Sequence, residues 1–346
     1  MNKIGYICTM KKRIPFILLV LLALAGCGAG ADDVPRIILD TDMGNDIDDA
    51  LALAAMNRYI DEGQARVLAI GMSKEGEAAA DFTDIVQTWY GHGNIPIGRV
   101  SAGTGPKTTG IHYTDRVCAL RDEAGAPLFA QTFENAIGAL RPTTDELYRR
   151  VLAKQKDHSV TFVTVGFSTN MASLLATSAD DISPLTGAEL VARKVKQLVM
   201  MAGNMAEASG EFNVVQDIVA ARKVFAEWPT PIVVSPFELG SRVKFPHTRV
   251  KDLAGGRQPN PVAEAYRFYL GPDYDACSWD PTALIYAVEG DGMFTFSEPG
   301  IISVDAAGIT RFTPAPEGKH RYLIADIKQT MALTLRLVEL TTTAHE

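Results

Sequence analysis

A chain of 346 residues with 33 basic and 41 acidic side chains carries a formal net charge of -8 at pH 7. That balance argues against a protein that works by gripping phosphate backbones, so no nucleic-acid partner is expected. At 47% hydrophobic the chain can bury one large core or two smaller ones.

The first residues read as an export signal. Lys11, Lys12 and Arg13 precede the apolar run from Phe16 to Leu24, which is too short to span a bilayer. Leu24-Ala25-Gly26-Cys27 follows and resembles the bacterial lipobox. The expectation is cleavage before Cys27 and lipid attachment to its sulfur, with ordinary cleavage near Ala29 or Ala31 as the alternative. Residues 1–26 would then be a signal peptide, 27–33 a tether and 34–340 one domain. The protein would be exported, facing the periplasm or cell exterior, and would meet the membrane only through its lipid. Loss of Lys3, Lys11, Lys12 and Arg13 with the signal moves the formal charge from -8 to -12. Beyond Cys8 and Cys27 only Cys118 and Cys277 remain; they show no metal-type spacing and allow at most one disulfide.

Apolar runs of strand length then recur: Arg36–Leu39, Arg66–Met72, Val160–Val165, Gln197–Ala202 and Pro231–Ser235. Most lead through Gly, Ser or Asp into a helical pattern. Asp48 and Asp49 are placed to cap a helix over Ala50–Tyr59. Thr143 and Glu146 have capping-box spacing ahead of Thr144–Gln155, and Val219–Ala226 reads as a further helix. Near-continuous apolar strands alternating with helices predict an α/β fold, an open, mostly parallel sheet covered on both faces. Gly91–Gly110 and Gly255–Pro261 read as loops. Ile301–Val304 and Arg321–Ile324 flank Gly308 and a Pro-rich turn, which predicts a small antiparallel addition near the C-terminus.

The first strand ends in Asp40-Thr41-Asp42-Met43-Gly44-Asn45-Asp46-Ile47-Asp48-Asp49, five carboxylates in ten residues. Like charges held so close repel unless a cation neutralises them or some are protonated. Helix capping explains two of them but not five. Oxygen-only ligands suit calcium or magnesium, and ligands of open α/β sheets sit where these acids would lie, at the carboxyl ends of the strands. Haloacid-dehalogenase-type phosphatases also place two Asp residues one apart after a first strand, but their further acids lie far downstream, whereas Asp48 and Asp49 follow at once.

The run resembles the signature of the inosine/uridine-preferring nucleoside hydrolase family, Asp-x-Asp-Pro-Gly-x-Asp-Asp-Ala. Three more segments match in the family's order. Val165-Gly166-Phe167-Ser168-Thr169-Asn170 is similar to its Gly-Pro-Leu-Thr-Asn turn. Met200-Met201-Ala202-Gly203 with Glu211-Phe212-Asn213 is similar to its Met-Gly-Gly and Glu-Phe-Asn pair, with Asp217 to Arg222 following. Trp279-Asp280 stands where the family has a late His-Asp. The resemblance runs from about Pro35 to Leu340.

It implies a calcium-dependent N-glycosyl hydrolase acting on a small-molecule nucleoside or related N-riboside. Asp42, Asp49, Asp280 and the backbone carbonyl of Val165 would hold Ca2+. Asp42 would also be the general base on water, and Asp48, Glu211 and Asn213 would bind ribose hydroxyls. A homodimer or homotetramer is implied as well.

Departures from the pattern matter too. Met43 replaces the usual Pro, and the turn is two residues longer, which makes Asp46 an extra acid. Lys74 falls near a sugar- or base-contacting position of the family and is expected to pair with the acidic cluster. Trp279 replaces the His credited with protonating the leaving group; indole has no acid–base chemistry near neutrality, so Trp279 either stacks on the base or packs in the core. Tyr266 and Tyr269 are candidates for the pocket wall or for the core. His112 lies in a loop that could cover the site. The rival readings are a same-fold hydrolase of another glycoside and a periplasmic ribose- or nucleoside-binding protein without turnover.

Overall fold

The computed structural model describes residues 34–101, 105, 113–132, 141–271 and 273–344. The export signal, Cys27 and His112 lie outside them.

Apolar residues fill the strands without a polar alternate, so a strand here must be covered on both sides. In β1 (Arg36–Thr41), Ile37 and Leu39 enter one core and Ile38 the other, the two-residue period of a strand sorting neighbours to opposite faces. The remaining strands are β2 (Arg66–Met72), β3 (Ile97–Gly98), β4 (Val160–Thr164), β5 (Val195–Met201), β6 (Ile232–Ser235), β7 (Lys244–Phe245), β8 (Ala276–Cys277), β9 (Thr295–Phe296), β10 (Gly300–Val304), β11 (Thr310–Pro314) and β12 (His320–Ile324). The main sheet runs β11-β10-β12-β6-β5-β4-β1-β2-β3, with β9 on β12, while β7 and β8 form a separate pair. All neighbours from β12 through β3 are parallel.

From β1 the chain builds outward to β2 and β3, then returns to the other side of β1 with β4, β5 and β6. The reversal between β1 and β4 opens a crevice at their carboxyl ends, where such sheets bind ligands. One face is covered by the helices Asp48–Asp61, Trp279–Glu289 and Ile327–Thr342, the other by Thr144–Ala153, Thr169–Ala176 and Ile218–Glu227.

The antiparallel addition is the β10–β11 hairpin around Gly308. Arg321–Ile324 has a different partner from the one its position in sequence suggests. It lies in β12, which runs parallel beside β6 and meets β10 only at Gly300–His320. Its alternating burial marks a half-covered strand of the main sheet.

Two capping expectations also change. The first helix begins at Asp48 with Ile47 in the cap position. Asp48 and Asp49 are therefore in its first turn, and their carboxylates serve other partners. Thr143 makes no side-chain capping bond, and the Glu146 carboxylate that would close the other half of the box turns outward to Arg150 at 2.6 Å. Capping boxes form instead at Thr186 with Glu189 and at Asp326 with Gln329. Cys118 and Cys277 are free thiols. No described helix is long and apolar enough to cross a membrane.

Candidate active site

Asp40 and Asp42 part company at the end of β1. Asp40 is fully buried and accepts from Tyr148 Oη at 2.5 Å, Asn170 Nδ2 at 2.7 Å and Thr164 Oγ1 at 3.2 Å. Asn170 also donates to the Met72 carbonyl at 2.9 Å and accepts from Thr144 at 2.7 Å. Asp40 and Asn170 thus tie β1, β2, β4 and two helices together; neither lines the cleft. Burial raises the Asp40 carboxyl to about 7.

Past the strand end the chain turns back on itself. Thr41 Oγ1 accepts from Met43 N at 3.1 Å and donates to Asp49. Gly44 has φ +104°, and a Cβ there would sit 3.2 Å from Lys74 Nζ, so only glycine fits the turn without strain. The lengthened turn is gripped from outside: Tyr113 Oη donates to the Asp46 carbonyl at 2.9 Å, and Tyr269 Oη donates to the Asp46 carboxylate. Gly166, just after β4, lies against this turn so closely that a Cβ would come within 2.5 Å of Asp42 N.

A cleft of about 380 Å³ opens here, lined by Asp42, Asp46, Asp48, Asp49, Glu211 and Asp280 together with Val165, Met201, Asn213, Phe212, Phe237 and Trp279. Carboxylate oxygens of Asp48, Asp49 and Asp280 all lie within 4.8 Å of one another. Asp280 N donates to Asp48 Oδ2 at 3.0 Å, which fixes the start of the Trp279–Glu289 helix against the first helix. Asp42 accepts from Asn45 Nδ2, and Asn45 in turn accepts from Lys74 Nζ at 2.9 Å. Lys74 is 3% exposed and reaches the cluster through Asn45, outside the cleft lining.

Charge is crowded in this cleft. Burial raises the Asp42 carboxyl to about 6, with Asp46 adding to the rise and Lys74 and Asn45 opposing it. Burial pushes Asp48, Asp49 and Asp280 well above the ordinary carboxylate range, and each of the three is raised further by its acidic neighbours. Burial also lowers the Lys74 amine against the pull of Asp42 and Asp49. The donor set fits a hard divalent cation: it is all oxygen, close-set and short of positive charge.

Glu211 and Asn213 have structural duties in the cleft wall. Glu211 accepts from Gly203 N at 2.9 Å, Asn213 N at 2.8 Å and Val214 N at 3.2 Å, capping the short helix Phe212–Gln216. Burial nevertheless raises its carboxyl to about 7. Asn213 Nδ2 donates to the Val165 carbonyl at 2.8 Å and to that of Met201 at 3.2 Å. The Val165 oxygen keeps a second lone pair.

Trp279 forms part of the wall. Its ring stacks on Phe237, centroids 5.6 Å apart at 23°, and its Nε1 donates to the Phe237 carbonyl at 3.0 Å. Tyr266 is fully buried and Tyr269 is spent on Asp46. Sequence reasoning missed Phe212 and Phe237. Phe237 follows the end of β6, and the strand-end rule that found the acidic run points there as well.

The inosine-uridine preferring nucleoside hydrolase family model matches residues 37–332. Among solved structures, the plant nucleoside hydrolase PpNRh1 is similar at 18% identity, TM-score 0.64, over 88% of this chain and 99% of that one. The nucleoside hydrolase of Bacillus anthracis is similar at 15% identity, TM-score 0.63, over 89% and 100%. The effector XopQ, solved with adenosine diphosphate ribose, is similar at 16% identity, TM-score 0.60, over 89% and 93%. At these identities the structures speak for the fold. No curated protein matches the sequence.

Proposed function

The chain belongs to the inosine-uridine preferring nucleoside hydrolase family, and we propose that it hydrolyses the N-glycosidic bond of ribonucleosides or a related N-riboside with calcium as its metal. The observation that carries this reading is the close-set trio of Asp48, Asp49 and Asp280, with Asp42 beside it in the same cleft.

Asp42, Asp49, Asp280 and the Val165 carbonyl would hold the ion, with Asp48 close enough to share it. When bound, calcium neutralises the cluster and makes a nearby water more acidic. Asp42 takes the proton of the attacking water, from a place in the cleft lining where Asn45 Nδ2 holds its carboxylate. The water oxygen bonds to the anomeric carbon as the C–N bond breaks, and the base departs with the bonding pair and takes a proton from solvent. Positive charge builds on the sugar in the transition state, and the surrounding carboxylates favour that state over the neutral substrate. Asp48, Glu211 and Asn213 would position the ribose hydroxyls; Asn213 keeps its Oδ1 for this, its Nδ2 being used on carbonyls. The Trp279–Phe237 stack offers the departing base an aromatic face. Export and anchoring through Cys27 belong to the same proposal, checked by the mass of the N-terminal peptide.

The test is a nucleoside panel with calcium and with chelator. Free ribose released with calcium and abolished by chelator supports the enzyme. Calorimetric binding of nucleoside without release points to a binding protein, and release from a different glycoside alone points to a changed substrate.

A further inference from the structure

Phe212 and Phe237 line two cavities, the cleft and a neighbouring hollow of about 640 Å³. Glu211 also borders both, and Asn204, Ser209, Gly210 and Val215 complete the hollow. Phe212, Val215 and Phe237 are 43%, 42% and 40% exposed, three large apolar side chains around one depression. Clustered exposed apolar groups of this kind mark a binding surface more often than chance. The wall is already built: Asn204 N donates to Thr310 Oγ1 at 3.0 Å, Thr310 Oγ1 donates to the Asn204 carbonyl at 3.1 Å, and Asn204 Nδ2 donates to Ser209 Oγ at 3.0 Å. No lysine or arginine is among the described residues that line either cavity.

A riboside has three exits from its sugar ring. On the proposed ribosidase reading the vicinal 2′ and 3′ hydroxyls, a natural chelate for a hard cation, would turn toward Asp48, Asp49 and Asp280. The base would turn toward the Trp279–Phe237 stack. That orientation would leave the C5′ carbon facing the Glu211–Phe212 wall, which borders both the cleft and the hollow, whereas Trp279 borders the cleft and not the hollow.

Building on the proposed ribosidase reading, we infer that this hollow is a subsite for an uncharged, apolar substituent on the 5′ carbon, so that the preferred substrates are 5′-modified ribosides such as thioethers. A 5′-phosphate would meet Glu211 with no basic partner and is disfavoured.

The test compares adenosine and uridine with their 5′-deoxy-5′-methylthio derivatives and their 5′-monophosphates, using the full chain with calcium. The methylthio derivatives should show kcat/KM roughly tenfold above the parents, mainly through KM. The monophosphates should fall at least about a hundredfold below them. Val215→Trp fills the hollow and should bring the methylthio-to-parent ratio to about one. Val215→Ser, a milder change should the first fail to fold, should lower it about threefold. Equal kcat/KM for derivative and parent in the wild type, or a ratio that neither variant moves, overturns the subsite. If none of the six compounds is hydrolysed, the ribosidase reading falls by itself. Calorimetry on the wild-type protein with calcium then decides the subsite: tighter binding of the methylthio derivative by about tenfold upholds it, while equal binding or none removes it.

Discussion

Arg149 and the acidic turn both bury charge beside the same sheet, with opposite treatment. Arg149 is 2% exposed and fully answered: Asp180 takes it at 2.6 and 2.9 Å, Thr177 at 3.0 Å, and the carbonyls of Ser183 and Leu185 at 3.2 and 3.1 Å. Its partner Asp180 is held down to about 2, chiefly by the Arg149 hydrogen bond. The acids around Asp42 instead face one another, and burial drives their pKa values up. A paired charge anchors a loop; an unpaired cluster stores affinity for whatever cation arrives. The difference lies in what each site leaves unsatisfied.

The sharpest way to break this contrast is at Asp42. Asp42→Asn should lower kcat by roughly two to four orders of magnitude, since it removes the base and one donor to the ion. The folded state should survive, because a buried carboxylate becomes a neutral amide of the same shape. Initial rates together with far-UV circular dichroism check both halves, and near-normal turnover would sink the assignment of the base.

Removing the cation comes next. Saturating calcium at about a hundred times its Kd should add about 2.7 kcal/mol of stability, read as a Tm that falls in chelator. The pH dependence of the chelated protein follows from the direction of the shifts. Asp40 at about 7, Asp42 at about 6 and Glu211 at about 7 are raised above their unfolded values. Their contribution is complete below about pH 4 and is lost as pH rises through 6 to 7. Melting in chelator should therefore drop between pH 5 and pH 8, and calcium should shrink the drop. A chelated protein that grows more stable over that range would contradict the unpaired cluster.

Arg149→Leu should cost about 1–3 kcal/mol by orphaning the Ser183 and Leu185 carbonyls, with kcat unchanged; urea titration alongside the ribose assay reads it. The smallest effect is expected at Asp180→Asn. Asp180 has a lowered pKa, so its contribution is present above about pH 4 and fades as pH falls toward 2. The variant and the wild type should melt further apart at pH 7 than at pH 2.5.

Much of the site could be seen in the sequence because its physics is local. An apolar strand ending in five acids is a conflict that only a cation or protons resolve, and Asp42, Asp48 and Asp49 do line the cleft with Asp280. Lys74 was legible as a partner of the cluster, but not its route through Asn45, since that bond depends on how the lengthened turn closes. Phe212 sat unnoticed between Glu211 and Asn213, its exposure set by the short helix that Glu211 caps. Thr143 and Glu146 had capping spacing, yet Arg150 one turn on competes for the same carboxylate. The partner of β12 was hidden for a related reason: strand pairing across a sheet is decided by topology, and a hairpin-like stretch of sequence does not disclose that its second strand has a parallel neighbour in β6.

The bond from Asp280 to Asp48 joins positions 232 apart in the chain. No nascent fragment lacking the late helix can present the full carboxylate trio, whatever else it has folded. Completion of the trio therefore waits on the docking of the Trp279–Glu289 helix, and a lanthanide luminescence signal from it would rise only after that helix is in place.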